Sequence, residues 1–311
     1  MTIEQELAAL APQKETALTI GVFDGVHKGH RHLIETLIDK AREKGLLSGV
    51  VTFHPHPQAV LHSPPLANGP SLMNLADRVR EIRQLGVELI APLSFTPEVA
   101  KLSAKQFASL LQEYLKMRGL VIGPDFALGK GRQGNAEKLA ALGREMGFFV
   151  HVVPPFTVNN EVVSSTLVRQ ALARGDMTRV KELMGRPFSI TATVVPGDRR
   201  GRTLKFPTAN FAATGQQMLP QNGVYASITH INGKNFASAT NIGVRPTFGD
   251  GKKTVETAVI DYRGELYGKE LKVEFIQKLR EEQRFASPEE LKAQIERDID
   301  QARTILTGEL K

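Results

Sequence analysis

The stretch TIGVFDGVHKGH, residues 19–30, decides how the first half of this chain folds. It belongs to an apolar run that begins at residue 18 and is rich in β-branched side chains, as buried strands are. Two histidines, His27 and His30, follow almost directly, and apolar residues at helical spacing continue from them towards Gly45. The stretch therefore predicts a strand over 18–23, a tight turn, and a helix that begins near the histidines.

Four more short apolar runs of the strand type follow, at 48–53, 87–95, 120–123 and 148–153. Segments with helical periodicity separate them, and one begins with SAKQ, in which Ser103 and Gln106 have the spacing of a reciprocal capping box. Buried strands that alternate with helices are typical of a parallel sheet covered on both faces. We therefore expect an α/β fold with a Rossmann-like, doubly wound parallel sheet.

The pattern changes in the second half. A helical stretch from residue 164 ends at Gly185, and the runs beyond it alternate apolar and polar residues between Gly, Pro and Asn turns. This period of two predicts a small antiparallel β-barrel. A last helix is expected after Ser287, where Pro288 fits the first turn and Glu290 the reciprocal capping position. The sequence thus predicts two domains, 1–185 and 186–311.

Composition excludes several functional classes. The 311 residues contain no cysteine, so disulfides, thiol nucleophiles and cysteine zinc sites are impossible. No apolar stretch approaches the ~20 residues of a membrane span, and the N-terminus does not resemble a secretion signal, so we expect a cytoplasmic protein without a membrane partner. The net charge of +7 leaves nucleic-acid binding as a distant alternative, although the densest basic stretch, 197–205, has no interleaved aromatic residue.

The two histidines allow three interpretations. A metal site lacks an evident third or fourth ligand beside the pair. A surface turn with incidental histidines is the simplest alternative, because short motifs often occur by chance without the associated function. A phosphate site fits best, since ligands bind at the carboxyl ends of parallel strands and backbone N–H groups at a helix N-terminus favour anions. Asp24 and Gly25 form the turn before the pair, and Gly29 leaves room between the histidines.

A second cluster of hydroxyl groups supports the phosphate interpretation. SSTLVR, residues 164–169, offers Ser164, Ser165 and Thr166 at a helix start, with Arg169 one turn later. An ordinary N-cap run would look the same. Taken with the histidines, the run resembles the other half of a triphosphate clamp.

These motifs resemble a known family. GVFDGVHKGH, TFHPHP, GPDFALGKGRQG and SSTLVRQAL are similar to the HxGH-type nucleotidyltransferase half of the bifunctional bacterial riboflavin kinase/FMN adenylyltransferases, also called FAD synthetases. GDRRGRTLKFPTANF, GVYA, NIGVRPTF, VET and LREEQRF resemble the flavokinase half in the same order. The resemblance extends from about residue 18 to the final helix.

For the first half, the resemblance implies an ATP site and a neighbouring flavin site. The residues implied to contact ATP are Phe23, Asp24, Gly25, His27, His30, Ser164, Ser165, Thr166 and Arg169. His27, His30 and Arg169 are implied to be catalytic, and the flavin contacts are Pro55, Pro57, Asp125 and Phe126. The FMN phosphate attacks the α-phosphorus of ATP and pyrophosphate leaves, so no protein nucleophile is needed. Mg²⁺ should accompany the nucleotide.

For the second half, the resemblance implies phosphoryl transfer from ATP to riboflavin. Gly201, Arg202, Thr208 and Asn210 are implied to hold ATP, and Thr208 and Asn210 also to hold Mg²⁺. Glu256 of VET corresponds to the residue proposed in the family as the general base for the riboflavin 5′-hydroxyl. Without the motif, the pattern around Glu256 would predict an ordinary outward-facing residue of a strand. Arg280 and Glu282 correspond to a stretch near the flavin, and they equally suit an exposed pair at a helix end.

Four positions depart from the family pattern. Lys205 and Ala192 replace expected glycines, and Pro196 replaces an expected histidine. Leu128 replaces an expected phenylalanine, a change that we expect to remove flavin stacking at this position. These departures bear mainly on the kinase half. We therefore expect a bifunctional enzyme whose partners are the small molecules ATP, riboflavin, FMN and FAD. An FMN adenylyltransferase with a flavin-binding but weak kinase barrel is the nearer alternative, and the oligomeric state stays open.

Overall fold

The computed structural model describes residues 1–61, 70–196, 208–211, 217–244 and 253–308. Contacts between residues divide the chain into two units, Met1–Ser164 and Ser165–Lys311. Among the described residues, no helix is both long and apolar enough to cross a membrane. The predicted domain boundary near residue 185 stays a prediction.

The first unit is built on a parallel sheet with the order β3-β2-β1-β4-β7. Its strands are β1 (Thr16–Gly21), β2 (Leu47–His54), β3 (Leu89–Ser94), β4 (Met117–Ile122) and β7 (Phe149–Val152). Two small hairpins complete it: β5 (Ala127–Leu128) with β6 (Gly134–Asn135), and β8 (Thr157–Val158) with β9 (Glu161–Val162). The five predicted strands and the doubly wound parallel sheet are confirmed. The first strand ends at Gly21, two residues earlier than predicted, because Phe23 turns the chain with a left-handed φ of 53°.

Helices cover both faces of this sheet. They are α1 (Ile3–Ala8), α2 (Lys28–Glu43), α3 (Pro57–Leu61), α4 (Leu75–Gln84), α5 (Pro97–Lys101), α6 (Ala104–Leu115) and α7 (Ala136–Met146), with a short 3₁₀ turn at Lys130–Arg132. One apolar cluster joins the sheet to α1, α6 and α7, and a second joins it to α2 and α4. The capping box of α6 is confirmed, because Ser103 and Gln106 exchange side-chain and backbone hydrogen bonds.

The second unit begins with two helices, α8 (Ser165–Ala173) and α9 (Met177–Met184). The single helical stretch expected from residue 164 was therefore wrong in one respect. Gly175 takes a left-handed φ of 69°, and Asp176 then caps α9 by accepting the backbone N–H of Arg179. Gly185 ends α9 as predicted, with a φ of 76°.

A closed antiparallel barrel follows, with the described strands in the order β10-β11-β14-β13-β12-β15. They are β10 (Phe188–Val195), β11 (Thr208–Phe211), β12 (Gly223–Ile231), β13 (Lys234–Val244), β14 (Lys253–Val259) and β15 (Glu270–Arg280), and the helix α10 (Pro288–Leu306) packs against β12 and β13. The predicted barrel and C-terminal helix are confirmed. Ser287 caps α10, but the Glu290 carboxylate accepts the N–H of Ala286 instead of completing the reciprocal pair with Ser287.

Candidate active sites

The loop after β1 lies where the order of the sheet reverses. β1 pairs with β2 on one side and with β4 on the other, which is the position at which open parallel sheets bind ligands. Phe23, Gly25 and Val26 all have left-handed φ angles, of 53°, 85° and 40°. For a β-branched residue such as Val26 this backbone is strained, and such strain persists only where the surroundings enforce it.

His27 and His30 stand together at the start of α2. His27 is the N-cap of the helix, and its Nδ1 accepts the backbone N–H of His30 at 3.3 Å. Because Nδ1 is the acceptor, the neutral His27 ring carries its proton on Nε2. The two rings stack with centroids 3.6 Å apart, and Phe23 meets the His30 ring edge-on at 5.3 Å. The histidines predicted as a pair therefore form one unit.

His30 is held in its neutral form. Its Nδ1 is buried and has no hydrogen-bond partner within the described part of the chain. Desolvation by burial lowers the pKa of His30 well below 6.5, and the nearby His27 and Arg78 lower it further. The neutral ring has one N–H to donate, and an anionic oxygen such as that of phosphate suits this donor. Among the described residues, no group of three or more His, Asp or Glu side chains gathers to hold a metal ion.

Hydrogen bonds of the buried Asp24 and Arg78 side chains hold this loop in place. Asp24 is 3% exposed, and its carboxylate accepts the Leu72 N–H through both oxygens, at 2.9 and 3.1 Å. Arg78 of α4 is 2% exposed and donates to the carbonyl oxygens of Val22 and Phe53. The role of Asp24 as an ATP contact stays a prediction, and its described hydrogen bonds are those of a loop anchor.

Gly29 lies between the histidines at a crowded point. A β-carbon there would lie 3.0 Å from the carbonyl oxygen of Val163 and 3.3 Å from the His27 ring. Val163 directly precedes Ser164, so the first residue of the SST motif follows a residue that packs against the histidine turn. Ser165 and Thr166 begin α8, and Arg169 follows one turn later on that helix, which belongs to the second unit.

The predicted flavin contacts of the first unit lie on two loops. The peptide bond between His54 and Pro55 is cis, and Pro57 begins α3. Asp125 is exposed in the loop after β4, and Phe126 beside it packs partly against the apolar core. Leu128 belongs to that same core and is 8% exposed. The expected loss of flavin stacking at this position stays a prediction, and the Leu128 side chain itself points into the protein.

The barrel brings three sequence motifs to one level of its outer face. In the strand register, Glu256 of β14 lies directly opposite Asn210 of β11 on one side and Asn241 of β13 on the other. Side chains directly opposite in paired strands point to the same face. Thr257, the next residue, points into the barrel, where its hydroxyl meets that of Thr240 at 2.9 Å. Glu256 thus faces outward beside the amide of Asn210, which is 9% exposed.

The remaining kinase residues are only partly described. Gly201 and Arg202, as well as Lys205, lie outside the described residues. For Thr208 the backbone is described and pairs with Ala258. Ala192 is buried inside the barrel, and Pro196 directly follows β10.

Arg280 and Glu282 take different positions at the end of β15. The Arg280 guanidinium forms a two-pronged ion pair with Asp298 of α10, with Nε–Oδ1 and Nη2–Oδ2 distances of 2.9 and 2.8 Å. Glu282 accepts a hydrogen bond from Asn222 at 3.1 Å. Beside them is an open cleft of about 560 Å³ between the segment 283–285 and α10. A flavin contact stays a prediction for both residues.

Two residues at these sites were missed by reasoning from the sequence. Arg78 lies within an ordinary amphipathic helix pattern, and nothing in that pattern marks it as buried. Asn241 begins NIGVRPTF, a motif noted only for its resemblance. Only strand register would have placed Asn241 opposite Glu256.

The comparisons with known proteins agree with this architecture. A family model for FAD synthetase matches residues 10–167, and one for riboflavin kinase matches residues 184–306. The chain is 39% identical to the bifunctional riboflavin kinase/FMN adenylyltransferase of Escherichia coli K12, covering 93% of this chain and 92% of that protein. It is 38% identical to that of Pseudomonas fluorescens, with 98% of each covered, and 35% identical to that of Bacillus subtilis, with 93% and 92% covered.

A solved structure is similar to this chain over almost its whole length. The crystal structure of a protein described as a macrolide-efflux protein from Streptococcus pneumoniae has a TM-score of 0.86 and 28% identity, with 96% of both chains covered. Fold and sites together define a two-part transferase, a nucleotidyltransferase joined to a small kinase barrel. The chain belongs to the family of bifunctional riboflavin kinase/FMN adenylyltransferases.

Proposed function

We propose that this chain phosphorylates riboflavin to FMN with ATP in its barrel, and transfers the adenylyl group of a second ATP to FMN in its parallel-sheet unit. The observation that carries the proposal is that each unit gathers the side chains that its own reaction needs. Paired imidazoles stand at the switch point of the sheet, and Asn210 lies opposite Glu256 on the barrel. A cytoplasmic location belongs to the same proposal, and a cysteine-free chain is compatible with it.

In adenylyl transfer, the chain has to align two anions and stabilise charge. A phosphate oxygen of FMN forms a bond to the α-phosphorus of ATP, the bond to the β-phosphate oxygen breaks, and pyrophosphate departs with the extra negative charge. His27, with its proton on Nε2, and the neutral His30 are suited to donate hydrogen bonds to the phosphate oxygens where that charge grows. Ser164, next to Val163 at the same turn, is a further donor. Roles for Ser165, Thr166 and Arg169 rest on the family resemblance.

In phosphoryl transfer, Glu256 is the proposed general base. Its carboxylate accepts the proton of the riboflavin 5′-hydroxyl while the hydroxyl oxygen bonds to the γ-phosphorus and ADP leaves. The position of Glu256 across from Asn210 supports this role, because the phosphate-binding residue and the base then lie on one face.

The proposal includes Mg²⁺, which Asn210 and Thr208 would hold. The amide oxygen of Asn210, close to a carboxylate, is a hard oxygen donor of the kind that Mg²⁺ takes, and Thr208 lies two residues away on the same strand. When bound with ATP, the ion neutralises charge on the phosphate oxygens.

The experiment separates the two reactions on the intact chain. Purified protein is incubated with ATP and Mg²⁺, and with either riboflavin or FMN, and the flavins are separated by chromatography. We expect FMN and FAD from riboflavin, and FAD from FMN. Replacing His30→Ala should lower FAD formation by about 10²-fold or more and spare FMN formation. Replacing Glu256→Gln should lower FMN formation by about 10²–10⁴-fold and spare adenylyl transfer to added FMN.

Matched controls are His151→Ala on the edge strand β7 and Glu270→Gln at the start of β15, which should leave both rates unchanged. FAD from added FMN without FMN from riboflavin would favour the adenylyltransferase with an inactive barrel. Loss of both activities in either variant would contradict the assignment of one reaction to each unit. Salt-sensitive binding of RNA without turnover of any flavin would favour the nucleic-acid alternative.

A further inference from the structure

We infer that Arg78 is a positioning residue for adenylyl transfer: it ties together the backbone at the carboxyl ends of β1 and β2 and so fixes the loop that presents His27 and His30. The inference rests on the proposed function, since it concerns the reaction assigned to that loop. Arg78 itself is buried, and it acts through the backbone.

The contacts of Arg78 converge on one nitrogen. Nη1 donates to the carbonyl oxygen of Val22 at 2.5 Å, to that of Phe53 at 3.2 Å and to the hydroxyl of Thr52 at 3.2 Å. The Thr52 hydroxyl also donates to the Val22 carbonyl at 3.0 Å. Val22 immediately follows β1, and Thr52 and Phe53 lie near the end of β2. One guanidinium therefore joins two neighbouring strands at the point where the histidine loop departs.

The loop needs such support because its backbone is strained. Phe23 and Val26 are left-handed although neither is glycine. Arg78 holds Val22, the residue before Phe23, and the backbone N–H of Leu72 holds the carboxylate of Asp24, the residue after it. Both supports come from the segment 72–78, which leads into α4 and includes its first turn. With Val22 and Asp24 held, the chain enters α2 in the conformation that stacks the His27 ring on that of His30.

The geometry predicts how substitutions behave. Arg78→Met keeps the apolar stem and removes every donor. Arg78→Lys keeps a cation and can replace Nη1, because that single nitrogen donates all three described hydrogen bonds and Nε has no partner within the described residues. Thr52→Val is nearly isosteric and removes the second donor to Val22.

The test measures kcat and KM for FAD formation from FMN and ATP, at a temperature where circular dichroism shows every variant to be folded. For Arg78→Met we expect kcat to fall about 10- to 100-fold, because a displaced loop misplaces the reacting groups. KM for ATP should change much less, and riboflavin phosphorylation by the same protein should stay normal. Arg78→Lys should recover most of the rate, and Thr52→Val should show a smaller loss of the same kind.

Two controls separate positioning from loss of stability. Leu111→Ala lies in the core of the same unit, away from the loop, and lowers stability without touching Val22. Arg118→Met removes an exposed arginine that pairs with Glu15. The imidazole ¹⁵N resonances of His27 and His30 give the second readout, and they should move in Arg78→Met and stay in Leu111→Ala.

The outcomes are distinct. If the unchanged protein makes no FAD from FMN, the proposed function fails. If it does, and Arg78→Met keeps its kcat within about twofold, the inference is wrong. It is also wrong if the Lys and Met variants are equally slow, or if Leu111→Ala loses kcat to the same extent. Should Arg78→Met not fold, Thr52→Val decides: a normal kcat and unmoved histidine resonances reject the inference.

Discussion

Acidification should destabilise the first unit through His30, and the linkage between protonation and folding sets the upper limit of the effect. Desolvation, with His27 and Arg78 nearby, depresses the pKa of His30 in the folded chain below the 6.5 of an exposed histidine. At a pH above 6.5 the residue is neutral in both states and adds no pH dependence. Below that value His30 becomes protonated in the unfolded chain but stays neutral in the folded chain, so the free energy of unfolding falls.

The slope is about 1.4 kcal/mol per pH unit for one such group, and it lasts until the pH reaches the folded-state pKa. Between about pH 7.5 and pH 5.0, a histidine that stays neutral in the folded state costs at most about 2 kcal/mol of stability. Replacing His30→Gln removes the titrating group. The difference in unfolding free energy between the two proteins should therefore shift by up to about 2 kcal/mol over this range, with the wild type losing more.

Methionine methyl resonances allow each unit to be followed in the intact chain. Met73 and Met117 are buried in the first unit, and Met177 and Met184 are buried in the second. Urea titrations at several pH values would report both units at once, and the second unit serves as the internal control. Histidines that do not contact His30 cancel in the difference, whereas the His27 ring stacks on His30, so the difference reports the titration of this pair. A difference that stays constant with pH, or a wild type that gains stability relative to His30→Gln on acidification, would refute the reasoning.

Three further predictions concern a close contact at Gly29, the ion pair of Asp298 and the helix cap at Ser103. Gly29→Ala places a methyl group 3.0 Å from the Val163 carbonyl and 3.3 Å from the His27 ring, so FAD formation should fall while riboflavin phosphorylation in the same assay stays normal. Asp298→Asn leaves the largely buried Arg280 cation without its counter-charge. The free energy of unfolding of the second unit should therefore fall by about 3–5 kcal/mol in the methyl-monitored urea titration. A fall of less than about 1 kcal/mol would mean that solvent screens the ion pair. Ser103→Ala removes the cap of α6 and should cost the first unit about 1 kcal/mol, whereas Ser103→Thr should retain most of it.

Local signals account for what was correctly predicted. The capping box of α6 and the left-handed Gly185 involve residues a few positions apart, so the chain segment carries the complete information. The same holds for His27 and His30, whose contact is a hydrogen bond between residues three positions apart. Even within this range the helix break at Gly175 was missed, because a glycine inside a helical pattern is often tolerated.

The sequence by itself therefore determined the two architectures, the histidine turn and the family, since periodicity and motif order are properties of the chain. Only the tertiary structure decided which distant groups meet. Arg78 reaches Val22 across 56 positions, Arg280 reaches Asp298 across 18, and Glu256 lies between Asn210 and Asn241 through strand register. The direction of Leu128 into the core was decided in the same way. The physical reason is that burial and partner choice depend on packing between elements, whereas local propensity depends only on neighbours along the chain.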